Sequence, residues 1–284
     1  MSGRKHFRQF LRKPLREMTN VILYRWVQAF PRIPVPIRLP FGAWWLARND
    51  FLGAALFCGG FEEIERSFVE YFLRPGMTVL DIGAHHGFYT LFCSRKVGAQ
   101  GMVLAIEASP RERKRLDLHL RINRCKNVQV ECCALAETEG SAELHVVIGG
   151  QTGCNSLQKP AVAEPTVTVA VHTRRLDDVV RAHHLEKVDF IKLDVEGSEL
   201  SVLKGGWELL SRPHRPVILV EVQDTRTLPW GYRAQALVNC LSAIGYHWFR
   251  PLPGGRLERM SIDENEYDGN LVAIPEEHAT SLVR

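Results

Sequence analysis

The chain has 284 residues, 45% of them hydrophobic and 24% charged, with 22 Gly and 15 Pro. That composition excludes collagen-like, low-complexity and wholly disordered chains, and the length suffices to bury one sizeable core. The formal charge is +4, but residues 1–48 carry ten Lys/Arg against Glu17 alone, so the remainder is acidic by five. An acidic body does not suit a nucleic-acid surface, and no nucleic-acid partner is expected. Seven cysteines without a CxxC form neither a disulfide framework nor a zinc set; they read as reduced thiols of a cytoplasmic protein. No run reaches the roughly 18 apolar residues that a membrane span needs.

In the leading segment Phe7, Phe10, Leu11, Leu15, Met18 and Ile22 recur at helical spacing opposite the arginines, and Pro14 interrupts the pattern. Four readings stay open for the leading segment, residues 1–30: peripheral contact with an anionic membrane, docking on the chain's own domain, a frayed tail, or an organellar transit peptide. Pro31, Pro34, Pro36 and Pro40 then mark an extended linker. Together these form a basic N-terminal extension over residues 1–59, ahead of a domain over 60–284.

From residue 60 onward, strand and helix alternate. Glu62–Leu73 reads as a helix closed by Pro75-Gly76, and Met77–Ile82 as a buried strand. Gly87–Val97 is helical, Gly101–Glu107 is a strand, and Ser109-Pro110 caps a helix running to Asn123. Val128–Ala134, Val188–Leu193 and Val217–Val222 read as further strands, with helices over Ser198–Leu210 and Arg233–Ile244. This rhythm predicts an α/β fold with a doubly wound, mostly parallel sheet. Leu144, Val146 and Ile148 alternate, as do Val167, Val169 and Val171, so an antiparallel hairpin interrupts the order. Its connection, Gly149–Pro165, is long enough for a lid or binding loop, with Asn155-Ser156 placed to touch an acceptor. His247–Arg250 and Asn270–Ile274 are expected to close the sheet as an antiparallel pair.

Two clusters carry chemistry. The first, Asp81-Ile82-Gly83-Ala84-His85-His86-Gly87, lies where the first strand of the domain turns into its helix, the ligand position of open α/β sheets. Gly83 allows a tight turn and Gly87 a close helix start. A dinucleotide fingerprint needs glycine at position 85, where His85 stands, so a ligand with a nucleoside but no pyrophosphate fits better. Glu107, 24 residues after Gly83, is placed to accept hydrogen bonds from a ribose diol, which makes S-adenosylmethionine the leading ligand. The second cluster is Asp189 to Glu199. Strand alternation puts Lys192 and Asp194 on one side, and Glu196 opens the following loop. These charges read either as a structural network or as a general base or hydroxyl clamp. Trp230 and Tyr232 read as packing aromatics or as the wall of an acceptor pocket.

Asp81–Thr90, Glu107, Leu176-Asp177-Asp178 and the stretch Ile191–Glu199 resemble the FkbM family of S-adenosylmethionine-dependent methyltransferases. The resemblance implies a class I, Rossmann-like methyltransferase fold over residues 60–275 and O-methylation of a small-molecule or glycosidic acceptor. It assigns Asp81, Gly83, Ala84, His85 and Gly87 to the methionine end of the cofactor, Glu107 to the ribose, and Ala134 to the adenine. Asp194 or Glu196 would serve as base, with Lys192 orienting one of them. The chain departs from the family's Asn-x-Gly at His85-His86-Gly87, which leaves the role of His85 open. Asp194 and Glu221 offer oxygen ligands, but two carboxylates at strand ends are too common to define a metal site, and none is assigned. Methyl transfer to nitrogen, protein or lipid, and a cofactor-binding module without turnover, remain alternatives.

Overall fold

The computed structural model describes residues 25–30, 33–58, 60–264 and 266–282. Most of the basic leader, and the membrane contact expected of it, lies outside those residues. Among the described residues no helix is long and apolar enough to cross a membrane.

The short apolar runs do form strands. In chain order these are β1 (Val35–Arg38), β2 (Trp44–Ala47), β3 (Thr78–Ile82), β4 (Met102–Ile106), β5 (Val128–Glu131), β6 (Ala134–Leu135) and β7 (Gly140–Val147). There follow β8 (Thr166–Arg174), β9 (Phe190–Leu193), β10 (Val217–Gln223), β11 (Tyr246–Leu252), β12 (Arg256–Arg259) and β13 (Asp268–Pro275). Eight of them make one sheet in the order β12-β11-β13-β10-β9-β3-β4-β5. The run from β10 to β5 is parallel, whereas β13, β11 and β12 pair antiparallel. The expected closing pair is therefore present, with His247 opposite Ile274.

Both faces of the parallel part are covered, which is why its strands read as continuous apolar runs. Val79, Val103, Phe190 and Leu219 pack into one layer with Phe68, Phe88 and Phe92. Their neighbours Leu80, Leu104, Ile191 and Val220 pack into the other, against Leu176, Val202 and Leu237. The strand order reverses between β3 and β9, so a crevice opens at their carboxyl ends.

Three local expectations change. The strand expected over Val128–Ala134 breaks at Cys132-Cys133, and the chain leaves the large sheet for a three-stranded one, β6-β8-β7. The helix expected over Ser198–Leu210 splits into Glu199–Gly205 and Trp207–Leu210, because Gly206 packs directly on Leu176. Ser198 stands at the N-cap, but its hydroxyl donates back to the Val195 carbonyl at 3.3 Å rather than capping the helix.

The division at residue 59 separates segments that share one core. Strands β1 and β2 pair antiparallel, and Val35, Leu39, Trp45, Leu52 and Phe57 pack with Phe68 and Val79. Trp45 stacks on His119 at 3.9 Å between ring centroids. The Leu46 N–H donates to His119 Nε2 at 3.1 Å, while His119 Nδ1 donates to the His86 carbonyl at 2.8 Å. This pair of bonds requires the neutral ring. Burial pushes the His119 pKa down to about 4, against the opposing pull of its bond to the His86 carbonyl.

A histidine whose pKa is lower folded than unfolded takes up its proton on unfolding, so stability falls as pH drops from about 6.5 to about 4. Thermal melts should show this loss in the native chain, and a smaller loss in His119→Gln, which starts less stable at neutral pH. Parallel curves for the two proteins would remove His119 as the acid-sensitive joint.

Candidate active site

The crevice at the reversal is built on a close contact between β3 and β9. Gly83 has φ +83°, and a Cβ there would lie 1.8 Å from the Asp194 carbonyl oxygen, so only glycine fits. The N–H groups of Gly83 and Ala84 both donate to the Ile106 carbonyl at 3.0 Å. Glu107, only 8% exposed, accepts from the His85 N–H at 2.7 Å and from the Ser109 N–H at 2.7 Å. One carboxylate thus ties the turn after β3 to the helix Pro110–Asn123, whose first turn Ser109 caps through the Glu112 N–H. Burial pushes the Glu107 pKa up to about 7, with the two amide donors opposing it.

The resulting cavity encloses about 570 Å³ when its open mouth is included. Gly83, His85, Glu107, Ala134, Asp194 and Glu196 all line it. Asp81, Ala84 and Gly87 do not. Asp81 is buried behind the turn and accepts from the Thr90 hydroxyl, and burial raises its pKa to about 6. Ala84 packs with Ala105 and Leu116, and a Cβ on Gly87 would meet Leu116 at 2.5 Å. These three pack behind the turn, outside the residues that line the cavity.

His85 takes φ +50°, the left-handed conformation that a dinucleotide fingerprint gives to glycine. Its Nε2 bonds to Thr152 Oγ1 at 3.0 Å, and its ring stacks on His86 at 3.6 Å. His86 is fully buried and bonds to Glu112 Oε2 at 2.9 Å. Burial pushes both histidine pKa values well down, and the neighbouring ring adds to the effect on His85. Thr152 belongs to the long β7–β8 connection, which folds over the cavity. Asn155 and Ser156 line it; Asn155 donates to Glu112 Oε1 at 2.9 Å, and Ser156 to the Glu196 carbonyl at 2.8 Å.

The second cluster lies at the same sheet edge. Lys192, 2% exposed, places Nζ 3.1 Å from Asp194 Oδ2, 3.2 Å from Asn270 Oδ1 and 4.0 Å from Glu62 Oε2. Burial opposes its charge, but Asp194, Glu62 and Glu221 outweigh it and hold its pKa above the ordinary range. Glu196 adopts φ +55°, and its carboxylate pairs with Arg226 Nε at 3.0 Å. Burial, then the charge of Asp194, pushes Glu196 up to about 8 and Glu221 up to about 10. Trp230 Nε1 bonds to the Glu196 carbonyl at 3.3 Å and Tyr232 Oη donates to the Gly197 carbonyl at 2.6 Å, so both aromatics brace this turn.

Residues 81–247 match the Methyltransferase FkbM domain. The chain belongs to the FkbM methyltransferase family. Methyltransferase sdnD of Sordaria araneosa is 31% identical over 163 residues, which are 46% of this chain and 62% of that protein. Methyltransferase 1 of Beauveria bassiana is 25% identical over 168 residues, 52% of this chain and 65% of its own length. The match thus spans less than two thirds of either relative. The 2-O-methyltransferase NoeI of Sinorhizobium fredii is 26% identical over 196 residues, 64% of this chain and 78% of its own. Among solved structures, methyltransferase FkbM from Methylobacillus flagellatus overlays 90% of this chain and 59% of that one, at 17% identity and a TM-score of 0.46.

In this FkbM-family chain three site residues escape sequence reasoning. Glu62, at the N-cap of the helix Glu63–Phe72, takes φ +45° and accepts from the Tyr89 hydroxyl at 2.7 Å. Nothing in its local sequence marks a carboxylate aimed at Lys192. Glu112 and Thr152 meet the histidines across 26 and 67 residues of chain, beyond any local pattern.

The turn supplies a paired test. Gly76 also has positive φ, but nothing lies within 4 Å of the position a Cβ would take, so Gly76→Ala should cost only the backbone term, about 1–2 kcal/mol. Gly83→Ala adds a backbone collision and should cost at least about 3 kcal/mol. Equal losses in chemical denaturation would show that the β3–β9 contact is not tight.

Proposed function

We propose that the protein is an S-adenosylmethionine-dependent O-methyltransferase acting on a hydroxyl of a small-molecule or glycosidic acceptor. One observation carries this reading: Glu107 and Asp194 line the same cavity at the carboxyl ends of β4 and β9. Glu107 keeps acceptor capacity beyond its two amide bonds, as a ribose diol requires. Ala134 on the cavity wall suits the flat adenine, and Gly83 leaves room for the methionine end. His85, held neutral by burial, adds no positive charge beside the sulfonium.

Methyl transfer is an in-line displacement. The acceptor oxygen forms a bond to the methyl carbon as the carbon–sulfur bond breaks; adenosylhomocysteine leaves, and the hydroxyl proton passes to a carboxylate. The protein's main contribution is alignment. Asp194 is the better placed base for the proton, because its side chain is the more open to the cavity mouth, 29% exposed against 13% for Glu196, which Arg226 also engages. Lys192 orients Asp194 from a buried position fixed by Asn270. The description of one relative as a 2-O-methyltransferase supports oxygen as the receiving atom.

Calorimetry should detect binding of S-adenosylmethionine and adenosylhomocysteine, and no heat with either would sink the reading. Glu107→Ala should weaken adenosylhomocysteine binding at least about tenfold. In a screen of sugars, glycolipids and small alcohols with labelled cofactor, Asp194→Asn should lower turnover of any accepted substrate by about 10²–10⁴. Its cofactor affinity should stay near that of the native chain. Undiminished turnover in Asp194→Asn would remove it as the base.

A further inference from the structure

The large apolar side chains left in solvent gather in one stretch of the chain. Trp26, Phe30, Ile33, Trp44 and Phe51 are between 39% and 64% exposed. They include both exposed Phe and two of the three exposed Trp among the described residues. Exposed apolar residues scattered singly need no explanation, but a cluster of them marks a surface of contact.

These side chains rest on one core. Residues 25–29 are helical, and Val27 packs in the same cluster as Val35, Trp45 and Ala47. Trp26 and Phe30 are left outside it, with ring centroids 5.1 Å apart. The Ile33 N–H donates to the Phe30 carbonyl at 3.0 Å, and the step from Ile33 to Arg38 spans no more than about 18 Å. Arg38 stands opposite Trp44 in the β1–β2 register, so the two share the outer face of the hairpin. Asn123 joins the Trp44 backbone to the end of the helix Pro110–Asn123, where Ile122 is also exposed.

The charge around these rings has one sign. Residues 25–49 hold four arginines and no acid, and residues 1–24, outside the described part, add six Lys/Arg against Glu17 alone. Arg38 Nε donates to the Gly42 carbonyl at 3.4 Å and Arg95 to Asn123 Oδ1 at 3.5 Å, neutral partners that leave both charges standing. Arg121 and Arg124 are exposed on either side of Ile122 and Asn123. Of the acids in residues 25–58 and 110–124, Asp50 and Glu112 are buried and answered by Arg115 and Arg111, and Asp117 alone is exposed. Aromatic rings among uncompensated arginines suit a surface that is apolar beneath and anionic above. A second copy of the chain fits less well, because a twofold pairing of this face sets cation against cation. The chain's own leader repeats the same charge and fits no better.

We propose that residues 25–51 and the basic leader ahead of them dock on an anionic lipid bilayer. The exposed rings enter the headgroup region and the arginines meet its negative charge. The Phe51 N–H donates to the Gly150 carbonyl at 2.8 Å, so the docked segment adjoins the β7–β8 connection over the cavity. Docking stands independently of the methyltransferase reading.

The test is co-sedimentation of the full chain with vesicles of phosphatidylcholine alone and of phosphatidylcholine mixed with phosphatidylglycerol. Binding to the mixture should be at least about tenfold stronger, and should fall at least about tenfold between about 0.05 and 0.5 M NaCl. The double variant Trp26→Ser/Phe30→Ser, and Trp44→Ser separately, should each weaken it by about three- to tenfold. Arg38→Glu should do the same without removing a ring. Trp207→Ser, an exposed tryptophan outside the stretch, should bind as the native chain does. Equal binding to the two vesicles overturns the proposal. Binding that all three variants leave intact belongs to the leader alone and overturns it equally. Absence of vesicle binding also overturns it; sedimentation velocity and titration with a single-stranded oligonucleotide then show whether a second copy or a nucleic acid takes the face.

Discussion

The site depends on a single backbone contact. Where β3 and β9 end side by side, the Gly83 turn rests on the Asp194 carbonyl so closely that no side chain fits between them. Neighbouring parallel strands that diverge in chain order leave a crevice at their carboxyl ends. Here the absent Cβ lets the two halves close to contact at its base. The glycine turn after β3 and the acid-bearing loop after β9 therefore share a wall, and Glu107 and Asp194 face one cavity rather than two.

Charge placement follows from the same constraint. Lys192 points along the edge of a strand buried on both faces, an expensive location for an ammonium group. It is tolerated because Asp194, Glu62 and Asn270 surround it. The turn from Asp194 to Gly197 is in turn held by Ser156, Trp230 and Tyr232, which bond to its carbonyls, and by Glu199, which bonds to its N–H groups. Side chains from the long β7–β8 connection, from the segment after β10 and from the turn's own helix thus fix where Asp194 and Glu196 lie. A loop with two left-handed residues, Glu196 and Gly197, needs such bracing.

Much of this was legible in the chain, because the informative patterns are local. Apolar runs such as Val217–Val220 announce covered strands, and Lys192 and Asp194 share a side through strand alternation. Gly83 and Glu107 could be placed because the glycine turn and the next strand end are neighbours by topology. What stayed hidden depends on long-range packing. The carboxylates of Glu62 and Glu112 reach their partners from distant segments, and the turn at Cys132-Cys133 carries no glycine or proline to betray it. Asp81 and Gly87 belong to the same motif but lie outside the cavity lining. The motif divides into residues that face the cavity and residues that hold the turn, and sequence spacing does not distinguish them.

The proline-bearing stretch gains a different meaning from the same reasoning. Proline spacing suggests a linker, which would be dispensable to the site. Instead the β1–β2 hairpin donates Leu46 N–H to His119, and His119 passes a hydrogen bond to the His86 carbonyl. His86 lies inside the glycine turn, so the hairpin is two hydrogen bonds from the neighbour of His85, whose ring bonds to Thr152 of the β7–β8 connection. Asn123 adds a reciprocal pair of bonds to the Trp44 backbone, fixing the strand against the same helix. Cutting the chain at residue 59 would strip the stacked Trp45 from His119 and leave its Nε2 without the Leu46 donor, beside the turn after β3. The described stretch ahead of residue 60 therefore shares the core of the sheet, and its β1–β2 hairpin is part of the support for the turn after β3.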